Sequence, residues 1–83
     1  MKKVKKLFVI ATNHFVKRYK QRILKTEATL NRKSVVKHMT ERLLDERQLN
    51  NLKIFQNTKQ AVSLPVSKGH RIILRKRRLI TII

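Results

Sequence analysis

Residues 62–83 read VSLPVSKGHRIILRKRRLITII, and this C-terminal segment is the main basis for the predicted sheet. Short runs of β-branched and other apolar residues alternate there with polar breaks, which predicts successive antiparallel strands. Pro65 has no backbone N–H to donate, so its strand is expected to lie at a sheet edge or to end there. Upstream, short apolar runs predict two further strands. The predicted strands are residues 4–11, 52–54, 62–66, 72–74 and 79–83.

Two helices are predicted between the first strand and this C-terminal region. The first begins after Thr12 or Asn13, whose side-chain oxygen can accept a free N–H of the first turn, and runs for about three turns. The second begins after Asn31 or Ser34 and extends to about Gln48, because apolar residues recur there with a helical period. The fold class expected is therefore α+β, with an N-terminal strand and two helices packed on a C-terminal antiparallel sheet of three to four strands.

Length and composition exclude several classes of protein. The 83 residues fit a single domain, residues 1–83, with residues 1–6 as a flexible basic arm. Cysteine is absent, which excludes disulfides, Cys-ligated zinc and thiol catalysis. The apolar run at residues 7–11 is shorter than a signal peptide requires, and no run approaches the roughly 18 apolar residues of a membrane span. We therefore expect a soluble cytoplasmic protein that has no cofactor and no membrane partner.

The charge points to an anionic partner. Lys and Arg number 22 against 4 Asp and Glu, a formal net charge of +18. Nucleic acid, with RNA favoured, is the first expected partner, because its phosphates neutralise such a charge and release counterions. An acidic protein would also be attracted by this positive charge. Aromatic residues are few and the Phe residues fit core positions, which disfavours a base-stacking platform. An alternative interpretation of the cations around the last hairpin is that they only keep its tip soluble. The residues expected to contact nucleic acid are Lys17, His70, Arg71, Arg75, Lys76, Arg77 and Arg78.

One helical constellation is suited to metal-free phosphodiester chemistry. His14, Arg18 and Arg22 recur at four-residue steps, which places them along one ridge of the first helix. Such chemistry needs a base, an acid and cations for the developing phosphorane charge, and His and Arg supply these roles. Four carboxylates cannot easily assemble a two-metal centre, so no metal site is expected. A solvated basic face with a surface histidine is the alternative interpretation.

The same helix carries a family resemblance. Thr12-Asn-His14-Phe-Val-Lys-Arg18-Tyr-Lys-Gln-Arg22 resembles the T-x-H-A-x-x-R-x-x-x-R opening of small bacterial and phage domains in the barnase–EndoU–colicin–RelE superfold, which includes ribonuclease toxins. The end of the chain, residues 78–83, resembles their closing strand. The resemblance implies a RelE-like fold in which His14 acts as base or acid, the two arginines clamp phosphate, and Thr81 lies near His14 and orients the substrate.

Two functional hypotheses follow. The first is an RNA-binding, RelE-like, metal-independent endoribonuclease of the toxin kind, for which an acidic antitoxin is the expected partner. The alternative is a non-catalytic basic phage or mobile-element protein. It would bind nucleic acid, or block the acidic or nucleic-acid-binding groove of a host enzyme, and would need only its cationic surface.

Overall fold

The computed structural model describes residues 6–83, and within them the fold is α+β, as predicted. Of the basic arm predicted at residues 1–6, only Lys6 lies in the described part, where it is exposed; the rest falls outside it. None of the helices in residues 6–83 combines the length and the apolar character needed to cross a membrane. The helices are α1 (Asn13–Tyr19, continued by the π-helical turn Lys20–Leu24), α2 (Arg32–His38, continued by the π-helical turn Met39–Leu43) and α3 (Glu46–Phe55). The strands are β1 (Ile10–Ala11), β2 (Val62–Pro65), β3 (Arg71–Arg75) and β4 (Arg78–Ile82).

The four strands form one mixed sheet in the order β1-β4-β3-β2. Strands β2, β3 and β4 are antiparallel neighbours, as predicted. Strand β1 lies parallel to β4, with Ile10 opposite Arg78 and Ala11 opposite Leu79. The sequence predicts the antiparallel C-terminal strands but not the pairing of the N-terminal strand, which joins their sheet in the parallel sense because the long connection through the helices allows it. Pro65 ends β2 at the other edge, which confirms its predicted place.

The first strand is much shorter than the predicted 4–11. Only Ile10 and Ala11 pair with β4, and residues 6–9 lie outside regular structure. The backbone N–H of Phe8 donates instead to Oε1 of Gln56, at 2.6 Å, so this part of the chain is held by a side chain. Phe8 is 58 % exposed and Ile10 is 55 % exposed, so the apolar run does not enter the core as a whole.

Two helix starts follow the predicted capping chemistry. The Thr12 hydroxyl accepts the N–H of Phe15 at 3.2 Å, and the Asn31 side chain accepts the N–H of Ser34 at 2.7 Å. Each bond satisfies one of the N–H groups that the first turn of a helix leaves free. Thr12 also donates its hydroxyl to the carbonyl oxygen of Leu79, at 2.8 Å, which ties the start of α1 to β4.

The segment between the second helix and the C-terminal sheet differs from the prediction. The second helix ends at Leu43 and not at Gln48, because Leu44 has an extended backbone. Asp45 then caps a third helix through a reciprocal pair of bonds with Gln48, one at 2.7 Å and one at 3.0 Å. This capping box starts α3, which includes the residues 52–54 predicted as a strand. The two-helix prediction is therefore wrong, and the described residues contain three helices.

The core lies between the helices and one face of the sheet. Phe15 and Tyr19 of α1 are fully buried and their rings stack, with centroids 5.8 Å apart. Burying these apolar side chains supplies the main favourable term in folding. On the other face of the sheet Arg71 and Arg75 are exposed, and we call it the uncovered face. The fully buried sheet residues are Ala11, Ile72, Leu74, Leu79 and Ile82.

Candidate functional site

Strand β3 separates the two faces of the sheet residue by residue. Ile72 and Leu74 are buried, whereas Arg71, Ile73 and Arg75 alternate with them. Successive side chains of a strand point to opposite faces, so these three residues lie on the uncovered face. Two arginines therefore stand on that face, one at each end of the strand.

A β-bulge in β4 adds two residues to the same face. Ile73 is opposite Thr81 and Leu74 is opposite Leu79, which leaves Ile80 as the additional residue. Leu79 and Ile82 are both buried although they are three residues apart, so both intervening side chains lie on the uncovered side. A bulge redirects side chains in this way. Thr81, a predicted catalytic residue, thus lies on the uncovered face beside Ile73.

Hydrogen bonds fix the two arginines of β3 in place. Nε of Arg71 donates to the hydroxyl of Ser63 at 2.6 Å, and its Nη2 donates to the Ser63 carbonyl oxygen at 3.2 Å. Nε of Arg75 donates to the carbonyl oxygen of Lys59 at 3.1 Å. A guanidinium has five N–H donors, so both groups keep donors for a ligand while their planes are held. Ser63 escaped the sequence analysis because nothing in its spacing marks it as an arginine anchor.

A pocket of about 500 Å³ opens at the hairpin end of this face, and we call it the hairpin pocket. It is lined by Thr12, Arg75, Lys76, Arg78 and Ile80. Three of the five are cations, and no acidic residue occurs in any of the four described strands or anywhere after Glu46. The pocket is therefore a cationic site with a hydroxyl and one apolar side chain, which suits a phosphate group.

The turn of the β3–β4 hairpin has an unusual backbone. Lys76 has φ 47° and Arg77 has φ 64°, values that Asn and Gly usually supply in two-residue hairpin turns. Holding other residues there costs on the order of 1 kcal/mol each. The N–H of Lys76 donates to the Thr58 carbonyl oxygen at 2.8 Å, and the N–H of Arg77 donates to that of Gln56 at 2.7 Å. The surrounding chain therefore fixes two cations in a conformation that their side chains disfavour.

Arg77 differs from its neighbours because its side chain is used within the protein. Its Nε donates to the side chain of Asn57, and its guanidinium carbon lies 5.9 Å from the ring centre of Phe8. That distance is within the range of a cation–π contact. Phe8 and Phe55 are both exposed, so the expectation that the Phe residues belong to the core holds only for Phe15.

Gln56 joins three segments around this turn, and no sequence pattern predicts this role. The residue is only 3 % exposed. Its Nε2 donates to the carbonyl oxygens of Lys6 and Lys53, at 2.7 and 3.1 Å, while its Oε1 accepts the N–H of Phe8. Its own carbonyl oxygen accepts from Arg77. A buried polar residue of this kind has no periodic signature, so only the structure identifies it.

The predicted residues of α1 lie at increasing distance from the hairpin pocket along the chain. His14 is exposed and follows the pocket residue Thr12 by two positions. Arg18 is half-buried one turn farther on, and Arg22 is exposed in the π-helical turn. Thr81 follows the pocket residue Ile80. Thr81 therefore adjoins a pocket residue and His14 lies two positions from one, but neither lines the pocket. The two residues belong to opposite sides of the sheet, because α1 packs on the buried face whereas Thr81 lies on the uncovered face. Lys17 is exposed on the same helix.

His70 lies at the far end of β3 from the hairpin pocket. Its Nδ1 is 3.3 Å from the carbonyl oxygen of Ile83, and the residue is half-buried. Arg71 and Arg75 are four positions apart along the strand, about 13 Å at ~3.3 Å per residue. Arg71 and His70 thus extend the cationic face away from the pocket and do not form part of it.

The third histidine contacts the core. The Tyr19 hydroxyl lies 2.7 Å from Nδ1 of His38, and the two rings meet edge to face. Burial raises the pKa of Tyr19 well above its ordinary value, so the hydroxyl keeps its proton and can donate it to Nδ1. This pair joins α1 to α2. It is a structural contact that lies apart from the hairpin pocket.

Comparison with known proteins identifies no relative. The chain matches no protein-family model, no curated protein and no solved structure.

Proposed function

We propose that the protein binds RNA through the uncovered face of its sheet and the β3–β4 hairpin. The observation that carries the proposal is the hairpin pocket, where Arg75, Lys76 and Arg78 converge and no strand offers a carboxylate to neutralise them. Cations held together in a chain of charge +18 repel one another. Phosphate groups remove this repulsion, and the counterions that they release drive the association.

Two features of the surface favour single-stranded RNA, the first over a duplex and the second over DNA. Phe8 is exposed beside Arg77, which gives an aromatic ring and a guanidinium on which an unpaired base can stack. The Thr81 side chain shares the uncovered face with the arginines, and a hydroxyl there can bond a ribose 2′-hydroxyl. A duplex would hide its bases from Phe8 and Arg77, and a DNA strand would lack the 2′-hydroxyl for Thr81.

A titration of the ¹⁵N-labelled protein with a short single-stranded RNA tests the proposal. We expect the largest amide shifts in residues 71–81 and near Phe8, with smaller shifts for a DNA strand of the same sequence. Shifts confined to α2 and α3, or no binding at low salt, would contradict it.

Metal-independent RNA cleavage is the second candidate, and the exposure of His14, two residues after the pocket residue Thr12, favours it. In the reaction, His14 would take the proton of a ribose 2′-hydroxyl. The 2′-oxygen would attack the adjacent phosphorus and the bond from phosphorus to the 5′-oxygen would break. The 5′-oxygen would take a proton from a solvent water, protonated His14 would return its proton to the resulting hydroxide, and the products would be a 2′,3′-cyclic phosphate and a 5′-hydroxyl. Arg18 and the pocket cations would stabilise the phosphorane. This candidate includes the proposal of a RelE-like fold, for which the helices-first α+β architecture is the support.

Cleavage is tested with labelled RNA in EDTA. We expect cyclic phosphate ends from the unmodified protein, a loss of at least about a hundredfold in rate for His14→Ala, and little change for the control Arg47→Ala, at an exposed position on α3. Equal rates for His14→Ala and the unmodified protein would remove the assignment. Binding without cleavage in every sample would leave the non-catalytic alternative, in which the cationic surface acts alone.

A further inference from the structure

A second recess lies between β1 and α2, and we call it the α2 groove. Its volume is about 500 Å³, the same size as the hairpin pocket. Strand β1 is the edge of the sheet, so in residues 6–83 no further strand lies beyond it. The residues that line the groove are Val9, Ile10, Ala11, Arg32, Lys33, Val36, Lys37 and Thr40.

The floor and the rim of the α2 groove differ in chemistry. Val9 and Val36 are half-buried and Ile10 is 55 % exposed, so apolar side chains form most of the floor. Lys33 and Lys37 are exposed and four residues apart on α2, which places them on one side of the helix. Since the groove combines apolar surface with a line of cations, a ligand must satisfy both.

A third cation on the rim is held in position. Nε and Nη2 of Arg32 both donate to Oδ1 of Asn13, at 3.2 and 2.8 Å. This pair of bonds fixes the guanidinium beside the groove, while its remaining N–H groups stay available. None of the four carboxylates of the chain lines the groove, so its cations have no acidic partner within it.

We propose that the α2 groove binds an acidic amphipathic segment of a partner protein. Apolar side chains of that segment would cover Val9, Ile10 and Val36, and its carboxylates would meet the cations of the rim. A nucleic acid would neutralise the cations but offers no aliphatic side chain for the floor. Grooves of this size and chemistry bind amphipathic peptide segments through a few apolar anchors.

Designed peptides test the proposal on the whole protein. One fluorescent peptide of about 14 residues contains Leu at positions i, i+3, i+4 and i+7 among Glu residues, and a second has the same composition in scrambled order. We expect the amphipathic peptide to bind more tightly than the scrambled one. Its amide shifts should map to residues 9–11 and 32–40.

Two variants with a matched control assign the site. Lys33→Glu with Lys37→Glu should weaken amphipathic-peptide binding about tenfold or more, because two contacts become repulsive. The control Lys25→Glu with Arg47→Glu makes the same change of charge at exposed positions elsewhere and should change affinity by less than about threefold. Val36→Thr should remove the preference for the amphipathic order.

Three results would overturn the inference. Equal affinity for the two peptides would mean that only charge is recognised. Equal effects of the two charge variants would place binding elsewhere. Displacement of the peptide by single-stranded RNA, with RNA shifts at residues 32–40, would make the groove part of a nucleic-acid surface. RNA binding at the hairpin pocket is measured separately, so either proposal can fail alone.

Discussion

Replacing the three cations of the hairpin pocket by glutamine should change the salt dependence of RNA binding by a defined amount. Arg75, Lys76 and Arg78 line the pocket together, whereas the guanidinium of Arg77 already contacts Asn57 and Phe8. The variant Arg75→Gln, Lys76→Gln, Arg78→Gln therefore removes the charges that face the ligand. It keeps the contacts of Arg77 and the backbone bonds of the turn, and it removes one side-chain bond, from Nε of Arg75 to the carbonyl oxygen of Lys59.

The expected magnitude follows from the number of phosphates that the pocket neutralises. Each phosphate contact to a single strand contributes about −0.7 to the slope of log K against log salt, so three contacts contribute about −2.1. A fourfold rise in salt, from about 50 to about 200 mM, then costs the unmodified protein about 20-fold more affinity than the variant. The ratio of the two affinities should shrink by that factor.

Fluorescence anisotropy of a labelled single-stranded RNA at several salt concentrations measures both slopes. The control is Lys25→Gln, Arg42→Gln, Arg47→Gln, which removes the same charge from exposed positions on the helical side. We expect the control to keep nearly the slope of the unmodified protein. Thermal unfolding of each variant shows whether the fold is retained.

Identical slopes for the pocket variant and the control would contradict the assignment of three phosphate contacts to the hairpin pocket. In that case only the total charge of the chain would govern binding, and the hairpin pocket would have no special part in it. A slope that falls in the pocket variant with no change in the control assigns the phosphates to the pocket.

Three further predictions concern the framework around the site. Gln56→Leu removes three buried side-chain hydrogen bonds and should lower the free energy of unfolding by about 3 kcal/mol in urea, while exposed Gln60→Leu should change it by less than about 0.5 kcal/mol; equal losses would contradict the role of Gln56. Lys76→Asn should raise the free energy of unfolding by about 1 kcal/mol, because Asn accepts positive φ while Arg77 keeps its contacts with Asn57 and Phe8, and it should weaken RNA binding; no gain in stability would contradict the argument from φ. Since burial raises the pKa of Tyr19, the unfolded chain loses that proton first, and stability should fall above about pH 10 by up to ~1.4 kcal/mol per pH unit. Tyr19→Phe should remove that part of the fall, and the same alkaline slope in both proteins would contradict it.

Local chemistry made much of this fold predictable. Thr12 and Asn31 were recognisable as caps because their side chains serve the turn that immediately follows. The antiparallel strands of residues 62–83 were readable because each pairs with its neighbour in sequence. Pro65 marked an edge because it has no N–H to donate. All of these inferences depend on contacts between residues close in the chain.

The errors arose where a distant contact or a cap outweighed a short pattern. Leu52-Lys-Ile54 alternates like a strand, yet the capping box at Asp45 starts a helix that includes it. The parallel pairing of Ile10 with Arg78 joins residues far apart in sequence, so a local sequence pattern does not predict it. The bond from the Phe8 backbone N–H to the Gln56 side chain also joins residues far apart in sequence, so no local pattern predicts it. The cations of the candidate site were predicted, but the pocket that gathers them with Thr12 was not.

Strand β1 has only two residues, so the sheet edge that places Thr12 in the hairpin pocket can open and close locally. Ile10 and Thr12 hold this edge through N–H bonds to Arg77 and Leu79, at 2.7 and 3.1 Å. Such a short pairing can open while the rest of the sheet stays folded. Each opening would move Thr12, which lines one side of the pocket, away from Arg78. Amide hydrogen exchange at residues 10 and 12 would then report how often the site is assembled, and a bound phosphate should slow that exchange by stabilising the closed edge.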